Sequence, residues 1–352
     1  MNSLPLVLSM GDCCGIGPEI IAMAFRHAEA ANAFVLGDVA VMRRAAAQTG
    51  GALPVAVIEQ ADDAVKCPPN CVPVLQAQSL PGDLVAAPQG QVDARAGTAA
   101  AACVHQGVAL AQAGKVQAIV TAPIHKQALA AAGVKFAGHT EMLQAWSGAS
   151  AVRMMLVNDE LRTVLVTVHL SLREAIDRVT FETVLETLRI AHRWSPLWGQ
   201  TAPRIAVAGL NPHAGEGGLF GDEELTQIAP AIAAARAEGI DARGPFAPDT
   251  VFMRARNVPA APGAPAGTAA RHGEFDLVVA MTHDHALIPI KYLGIEQGVN
   301  VTLGLPFVRT SPDHGTSFDI AGRGVANPSS LLAAMRLARQ LTQGKSSLNL
   351  RT

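Results

Sequence analysis

Three histidines follow three apolar, partly β-branched runs of the chain. His169 ends VLVTVH, His213 lies in the glycine-rich VAGLNPHAGEGG, and His283 follows LVVAMT. Side chains at the C-terminal ends of parallel strands gather along one sheet edge, where open α/β proteins bind ligands. Three neutral imidazoles that leave a coordination position open are the donor set of a catalytic divalent metal. Spacings of 44 and 70 residues carry no local signature, and a histidine at a strand end also serves as an ordinary polar residue. Within MTHDHALIPIK (281–291), an extended chain puts His283 and His285 on one face and Asp284 on the other. Spacing alone does not say which histidine is the ligand.

A second group of residues suits an anion. Lys291, Asn300 in QGVNVTLGLP and Arg309 in PFVRTSPDHG place two cations and an amide in order. Such a set fits a phosphate or carboxylate, with arginine able to bind in bidentate fashion. The alternative is a solvated edge. His139 and Thr140 in GHTE could hydrogen-bond a substrate hydroxyl or phosphate; alternatively Thr140 caps a helix and His139 lies on the surface. GDCCGIGPEI (11–20) follows a strand and opens a helix. Pro18 fits the first helical turn, and Glu19 suits its positive end. Gly15 and Gly17 let a ligand approach the backbone, and the helix N-terminus can hold an anion, although the spacing matches neither a dinucleotide fingerprint nor a Walker loop. A plain glycine turn is the alternative. DHGTSFDIAGRGVANP (313–328) has the composition of loops that wrap an adenosine and pyrophosphate. Cysteines stand at 13, 14, 67, 71 and 103; an odd number without an export signal points to reduced thiols. Cys67 and Cys71 have a spacing that zinc tolerates, but no second pair follows.

The elements that must position these groups alternate. Strands are expected at Leu4–Ser9, Ala33–Leu36, Ala118–Thr121, Thr163–Val168, Arg204–Ala208 and Leu277–Ala280. Helices are expected at Glu19–Ala31, Ala96–Ala113, Thr180–Trp194, Glu223–Glu238 and Pro328–Leu341. That alternation is an α/β pattern with largely parallel pairing. A length of 352 residues points to two lobes. Residues 257–275 are rich in Pro, Gly and Ala and poor in large apolar side chains, so an exposed loop is expected there. A net charge of -2 without basic clusters argues against nucleic acid. No run approaches the ~18 apolar residues of a membrane helix, and MNSLPLVLSMGD reads as a first strand; a soluble, cytoplasmic protein is expected.

GIGPEI (15–20), APIHK (122–126), GHTE (138–141), VHLSLR (168–173), GLNPHAGEGG (209–218), PDT (248–250), His283-Asp284 with Lys291, VNVTLGLPFVRTS (299–311) and the 313–324 block together resemble the 4-hydroxythreonine-4-phosphate dehydrogenase (PdxA-like) family. The resemblance runs from residue 11 to 328. It implies a fold of the isocitrate/isopropylmalate dehydrogenase-like superfamily: two α/β/α lobes with the active site in the cleft between them. One lobe would comprise 1–125 plus 305–352 and carry the cofactor motifs; the other, 126–304, would carry metal and substrate residues and the dimer interface.

The resemblance further implies a homodimer with a shared active site, NAD or NADP as cofactor, and a divalent metal (Zn, Mg, Co or Mn) on His169, His213 and His283. Substrate contacts would be His139, Thr140, Lys291, Asn300 and Arg309, with Asp249 and Lys291 as the catalytic pair. Cofactor contacts would be Gly15, Gly17, Asp313, His314, Gly315, Asp319 and Asn327. The implied reaction oxidises and decarboxylates 4-phosphooxy-L-threonine to 3-amino-2-oxopropyl phosphate, in pyridoxal phosphate biosynthesis. Enzymes on the same scaffold that act on 4-phospho-D-threonate or -erythronate, or on an aromatic cis-dihydrodiol, are the alternatives, with a same-superfamily acyltransferase more distant. The chain departs from the family at Cys13-Cys14, where Pro-Ala is usual, and at His285, where Gln is usual.

Overall fold

The computed structural model describes residues 4–258 and 271–344. Chain contacts divide it into two compact units, 1–152 with 305–352 and 153–304. The first unit by contacts runs on past residue 125, to 152. The cause is local packing: the helices at 126–131 and 139–147 both pack on the long helix at 94–112.

The first unit holds strands β1 (Leu6–Ser9), β2 (Ala33–Gly37), β3 (Val55–Ile58), β4 (Val72–Gln76), β5 (Ala118–Thr121) and β12 (Val308–Pro312). They lie in the order β3-β4-β2-β1-β5-β12, every pair parallel. β1, β2 and β5 are buried along their whole length, as strands covered on both faces must be, which is why they read as unbroken apolar runs. Their helices are α1 (Gly17–Ala24), α2 (Val39–Gln48), α3 (Ala94–Gln112), α4 (Lys126–Ala131), α5 (His139–Ser147) and α11 (Ser329–Gly344). Asp38 caps α2 by accepting from the Val41 N–H at 2.9 Å. α3 meets α4 at Gly97, where a Cβ would lie 2.0 Å from the Ala128 carbonyl oxygen. The helix expected over Glu19–Ala31 ends at Ala24.

The second unit holds β6 (Arg153–Val157), β7 (Arg162–Leu165), β8 (Ile205–Ala208), β9 (Ala242–Phe246), β10 (Leu277–Ala280) and β11 (Val299–Leu303), in the order β11-β6-β7-β10-β8-β9. β6 runs antiparallel to both neighbours; the other pairs are parallel. The helices are α6 (Leu172–Arg178), α7 (Phe181–Trp194), α8 (Ala229–Ala237), α9 (Val251–Ala255) and α10 (His283–Tyr292). Leu156, Leu165, Val278, Phe275, Leu287 and Ile290 lie at the centre of its core. Of the loop expected at 257–275, residues 259–270 lie outside the described residues; its ends are joined by a Val258–Arg271 bridge. Among the described residues no helix is long and apolar enough to cross a membrane.

The stretch 281–291 is not extended: α10 begins at His283. His283 and His285 therefore stand about 200° apart around the helix axis and do not share a face. Ala286, Leu287 and Ile290 bury the inner side of that helix, which sets the direction of both histidines.

Candidate active site

In the second unit, each of the three histidines is held at a strand end by a different device. His169 follows β7 in the left-handed region, with φ 52°. His283 opens α10, directly after the buried β10 and Thr282. The rings of His169 and His283 lie 5.7 Å apart. His283 Nδ1 lies 2.8 Å from Asp284 Oδ1, hydrogen-bond distance for an Nδ1–H donating to the carboxylate. Nδ1–H donation of this kind turns Nε2 toward a ligand position, the arrangement in which carboxylates orient metal-binding imidazoles. Asp284 thus works through His283 instead of facing away from it.

His213 lies in a tight turn after β8. Residues 213–217 all have positive φ, and three of them, His213, Ala214 and Glu216, are not glycine. Glu224, 2% exposed, holds this turn. Its Oε1 accepts from the N–H groups of Leu210 and Asn211 at 2.7 and 2.8 Å, and its Oε2 accepts from Asn211 Nδ2 at 2.9 Å. In the sequence Glu224 stands only within the helix expected over Glu223–Glu238. The signal was available: Glu224 shares a helical face with the buried Ile228, Ala231, Ile232 and Ala235, and a buried carboxylate needs donors.

Among the described residues, the only three His, Cys, Asp or Glu side chains whose ligand atoms gather within 4.8 Å of one another are Asp12, Cys13 and Cys14. The ligand atoms of His169, His213 and His283 are therefore not gathered within that distance. Asp249 is exposed in the turn before α9, Lys291 is exposed near the end of α10, and Asn300 is half-buried on β11. Asn300 Oδ1 is buried without a hydrogen-bond partner.

The first unit places a cation at its centre. Arg309 on β12 is 2% exposed, and its Nη2 donates to Thr121 Oγ1 at 2.6 Å. Burial pushes the guanidinium down, to about 9, so it still carries its charge at neutral pH. His139 is the first residue of α5, with Gly138, not Thr140, at the cap position. Burial and then the Arg309 charge hold His139 well below the usual imidazole range. It is a neutral ring, and its buried Nε2 has no hydrogen-bond partner. Thr140 follows on the same helix N-terminus, half-buried. A buried cation, a neutral imidazole, a hydroxyl and a helix N-terminus form a donor set for an anion.

Gly15 and Gly17 pack closely against their own chain. A Cβ at Gly15 would stand 2.8 Å from Thr316, and one at Gly17 2.7 Å from the Met10 carbonyl oxygen. The 313–328 loop is fixed by Glu19, whose carboxylate accepts from the N–H groups of Gly322 and Gly324 at 2.5 and 2.7 Å. Glu19 is fully buried, so its role is this clamp more than the helix dipole. Phe318 of the loop stacks on His125 at 4.6 Å. Asp313 and His314 are half-buried, while Gly315, Asp319 and Asn327 are exposed. His314 Nδ1–H donates to the Gly315 carbonyl oxygen at 3.0 Å, and its Nε2 is buried without a partner.

Residues 29–338 match the family described as pyridoxal phosphate biosynthetic protein PdxA. A 4-hydroxythreonine-4-phosphate dehydrogenase of Beijerinckia indica subsp. indica is 53% identical over 338 residues, covering 96% of this chain and 95% of that protein. A D-threonate 4-phosphate dehydrogenase of Pectobacterium atrosepticum is 42% identical over 343 residues, covering 96% and 98%. The crystal structure of a 4-hydroxythreonine-4-phosphate dehydrogenase from Klebsiella pneumoniae matches with a TM-score of 0.83 at 39% identity, covering 97% of this chain and 100% of that one.

Proposed function

The chain belongs to the PdxA family of pyridoxal phosphate biosynthetic proteins, a family of nicotinamide-dependent dehydrogenases, and from that premise we propose that it oxidises 4-phosphooxy-L-threonine with NAD and a divalent cation. The observation that carries the choice of a phosphorylated substrate is Arg309, a buried cation beside the neutral His139 at the start of α5. Arg309, His139 and Thr140 bind and orient the phosphate; Lys291 and Asn300 hold the polar groups at the reacting end.

His169, His213 and His283 would hold the cation. The donor set fits: three imidazoles, one of them with Nδ1 at hydrogen-bond distance from Asp284. When bound, the cation supplies Lewis acidity to the substrate hydroxyl and to the charge that develops on decarboxylation, and the nicotinamide accepts the hydride. Asp249 takes the C3 hydroxyl proton as the hydride leaves C3. The resulting β-keto acid loses CO₂ from C2, and Lys291 returns a proton to that carbon, giving 3-amino-2-oxopropyl phosphate. The 313–328 loop, with Asp313, His314, Gly315, Asp319 and Asn327, and the turn at Gly15 and Gly17 receive the cofactor.

The donor set is completed by a second copy of the chain. Leu170, Leu172, Leu219, Phe220 and Leu225 are exposed on the segments that carry His169 and His213, Leu219 at 72%. Apolar side chains left in water around metal-ligand candidates suit a homodimer that shares its site. Oxidation of D-threonate 4-phosphate is the second activity to consider, favoured by the relative of that name at 42% identity. The test is metal content and NAD reduction in His169→Ala, His213→Ala and His283→Ala. Each variant should lose both; a fully active, metal-replete His283→Ala protein would overturn the assignment.

A further inference from the structure

We propose that Asp12, Cys13 and Cys14 form a binding site for a thiophilic divalent cation inside the first glycine turn. Their three ligand atoms, two sulfurs and a carboxylate oxygen, all lie within 4.8 Å of one another. All three residues are buried, with at most 1% exposure. Metal–thiolate bonds of about 2.3 Å in tetrahedral geometry separate two sulfurs by about 3.8 Å, so the donors need to close by about 1 Å at most.

The carboxylate supplies a second, independent indication. Asp12 Oδ1 accepts from the Cys14 N–H at 2.8 Å, whereas the buried Oδ2 has no hydrogen-bond partner. A buried carboxylate oxygen without a donor is unfavourable, and a cation removes that cost. The scaffold around the donors is held by backbone groups and leaves the side chains available. Asp12 N–H donates to Pro123 O at 2.9 Å and Gly90 N–H donates to Cys14 O at 2.8 Å. Arg44 Nη2 donates to Cys13 O at 2.8 Å.

Cys13 and Cys14 are adjacent in the chain and buried together, with their sulfurs within 4.8 Å of each other. Binding releases two protons from the thiols, and a third from any Asp12 that is protonated; no electrons move. Two sulfurs and one carboxylate select Zn²⁺ or Cd²⁺ over Mg²⁺ or Ca²⁺, and three protein donors leave a fourth position for water. The inference is independent of the histidine site.

Cd²⁺ titration of the reduced, full-length protein tests it, read by thiolate-to-cadmium charge-transfer absorption and by proton release in weak buffer. Histidine ligands give no such band. The expected result is one equivalent of band-forming Cd²⁺ per chain with at least two protons released. Cys13→Ala/Cys14→Ala should lose the band and Cys67→Ala/Cys71→Ala should keep it. Asp12→Asn should bind Cd²⁺ roughly tenfold more weakly, as expected for one lost charged contact. A band that survives in Cys13→Ala/Cys14→Ala, or that never forms in the parent protein, overturns the proposal. If the double variant does not fold, Cys13→Ala alone should halve the band, and an undiminished band overturns the proposal equally.

Discussion

Glu224→Gln probes how a strained turn is kept in place. The three non-glycine residues at positive φ, His213, Ala214 and Glu216, cost roughly 1 kcal/mol each, or roughly 3 kcal/mol together. Opposing this, Glu224 accepts three hydrogen bonds of 2.7 to 2.9 Å. Hydrogen bonds to a buried charge contribute about 1.5–3 kcal/mol each. Glutamine keeps one oxygen for the Leu210 and Asn211 N–H groups, but those bonds become neutral and roughly half as strong. Its NH₂ then faces Asn211 Nδ2, donor against donor. The expected loss is about 3 kcal/mol, measured by urea unfolding. Glu223→Gln is the control: Glu223 also accepts from Asn211 Nδ2, at 2.7 Å, but is only half-buried, and should cost under about 1 kcal/mol. If Glu224→Gln stays within about 0.5 kcal/mol of the parent, the carboxylate does not hold the turn and the account of His213 is wrong.

Three further outcomes follow from the same geometry. Arg309→Met should leave the fold at least as stable, because an apolar chain of similar volume removes a desolvated charge. It should also lower kcat/KM for a phosphorylated substrate about 100-fold, the equivalent of about 2.7 kcal/mol; an unchanged kcat/KM would remove Arg309 from the site. His139 is held neutral when folded, so only the unfolded chain takes up its proton below about 6.5. Stability should therefore fall as pH falls below that value, by up to about 1.4 kcal/mol per pH unit. His139→Gln should remove this component of the slope, and parallel unfolding-versus-pH curves between pH 6.5 and 5 would contradict it. Gly97→Ala should destabilise the first unit by about 1–3 kcal/mol in urea unfolding, since its Cβ would lie 2.0 Å from the Ala128 carbonyl oxygen; an undiminished midpoint would show that α3 and α4 separate freely.

How far the sequence carried depends on what each residue packs against. β5 and β10 were legible to the residue because strands buried on both faces need unbroken apolar runs. β12, Val308–Pro312, was missed because it buries Arg309, Thr310 and Ser311, polar residues that only specific partners make acceptable. Thr310 Oγ1, for example, donates to the Ala334 carbonyl oxygen at 2.9 Å. β9 hid behind its Gly244-Pro245 pair, residues that ordinarily mark a break. The stretch 281–291 misled because His-Asp-His shows period two as readily as a helix start; only the burial of Ala286, Leu287 and Ile290 separates the two. His169, His213 and His283 were legible as residue types that follow apolar runs. Two supports, Glu19 and Glu224, were not, because each acts across a loop or turn whose path local periodicity does not encode; Asp284 was not, because its bond to the adjacent His283 depends on the helix that starts there.

The decisive measurement is NADH formation on 4-phosphooxy-L-threonine, followed with CO₂ release and with and without a chelator. Equal amounts of NADH and CO₂ are expected, with loss of both on chelation, recovery on adding back a divalent cation, and weaker turnover of D-threonate 4-phosphate. No NADH from either phosphorylated substrate, or full turnover after complete metal removal, would contradict it.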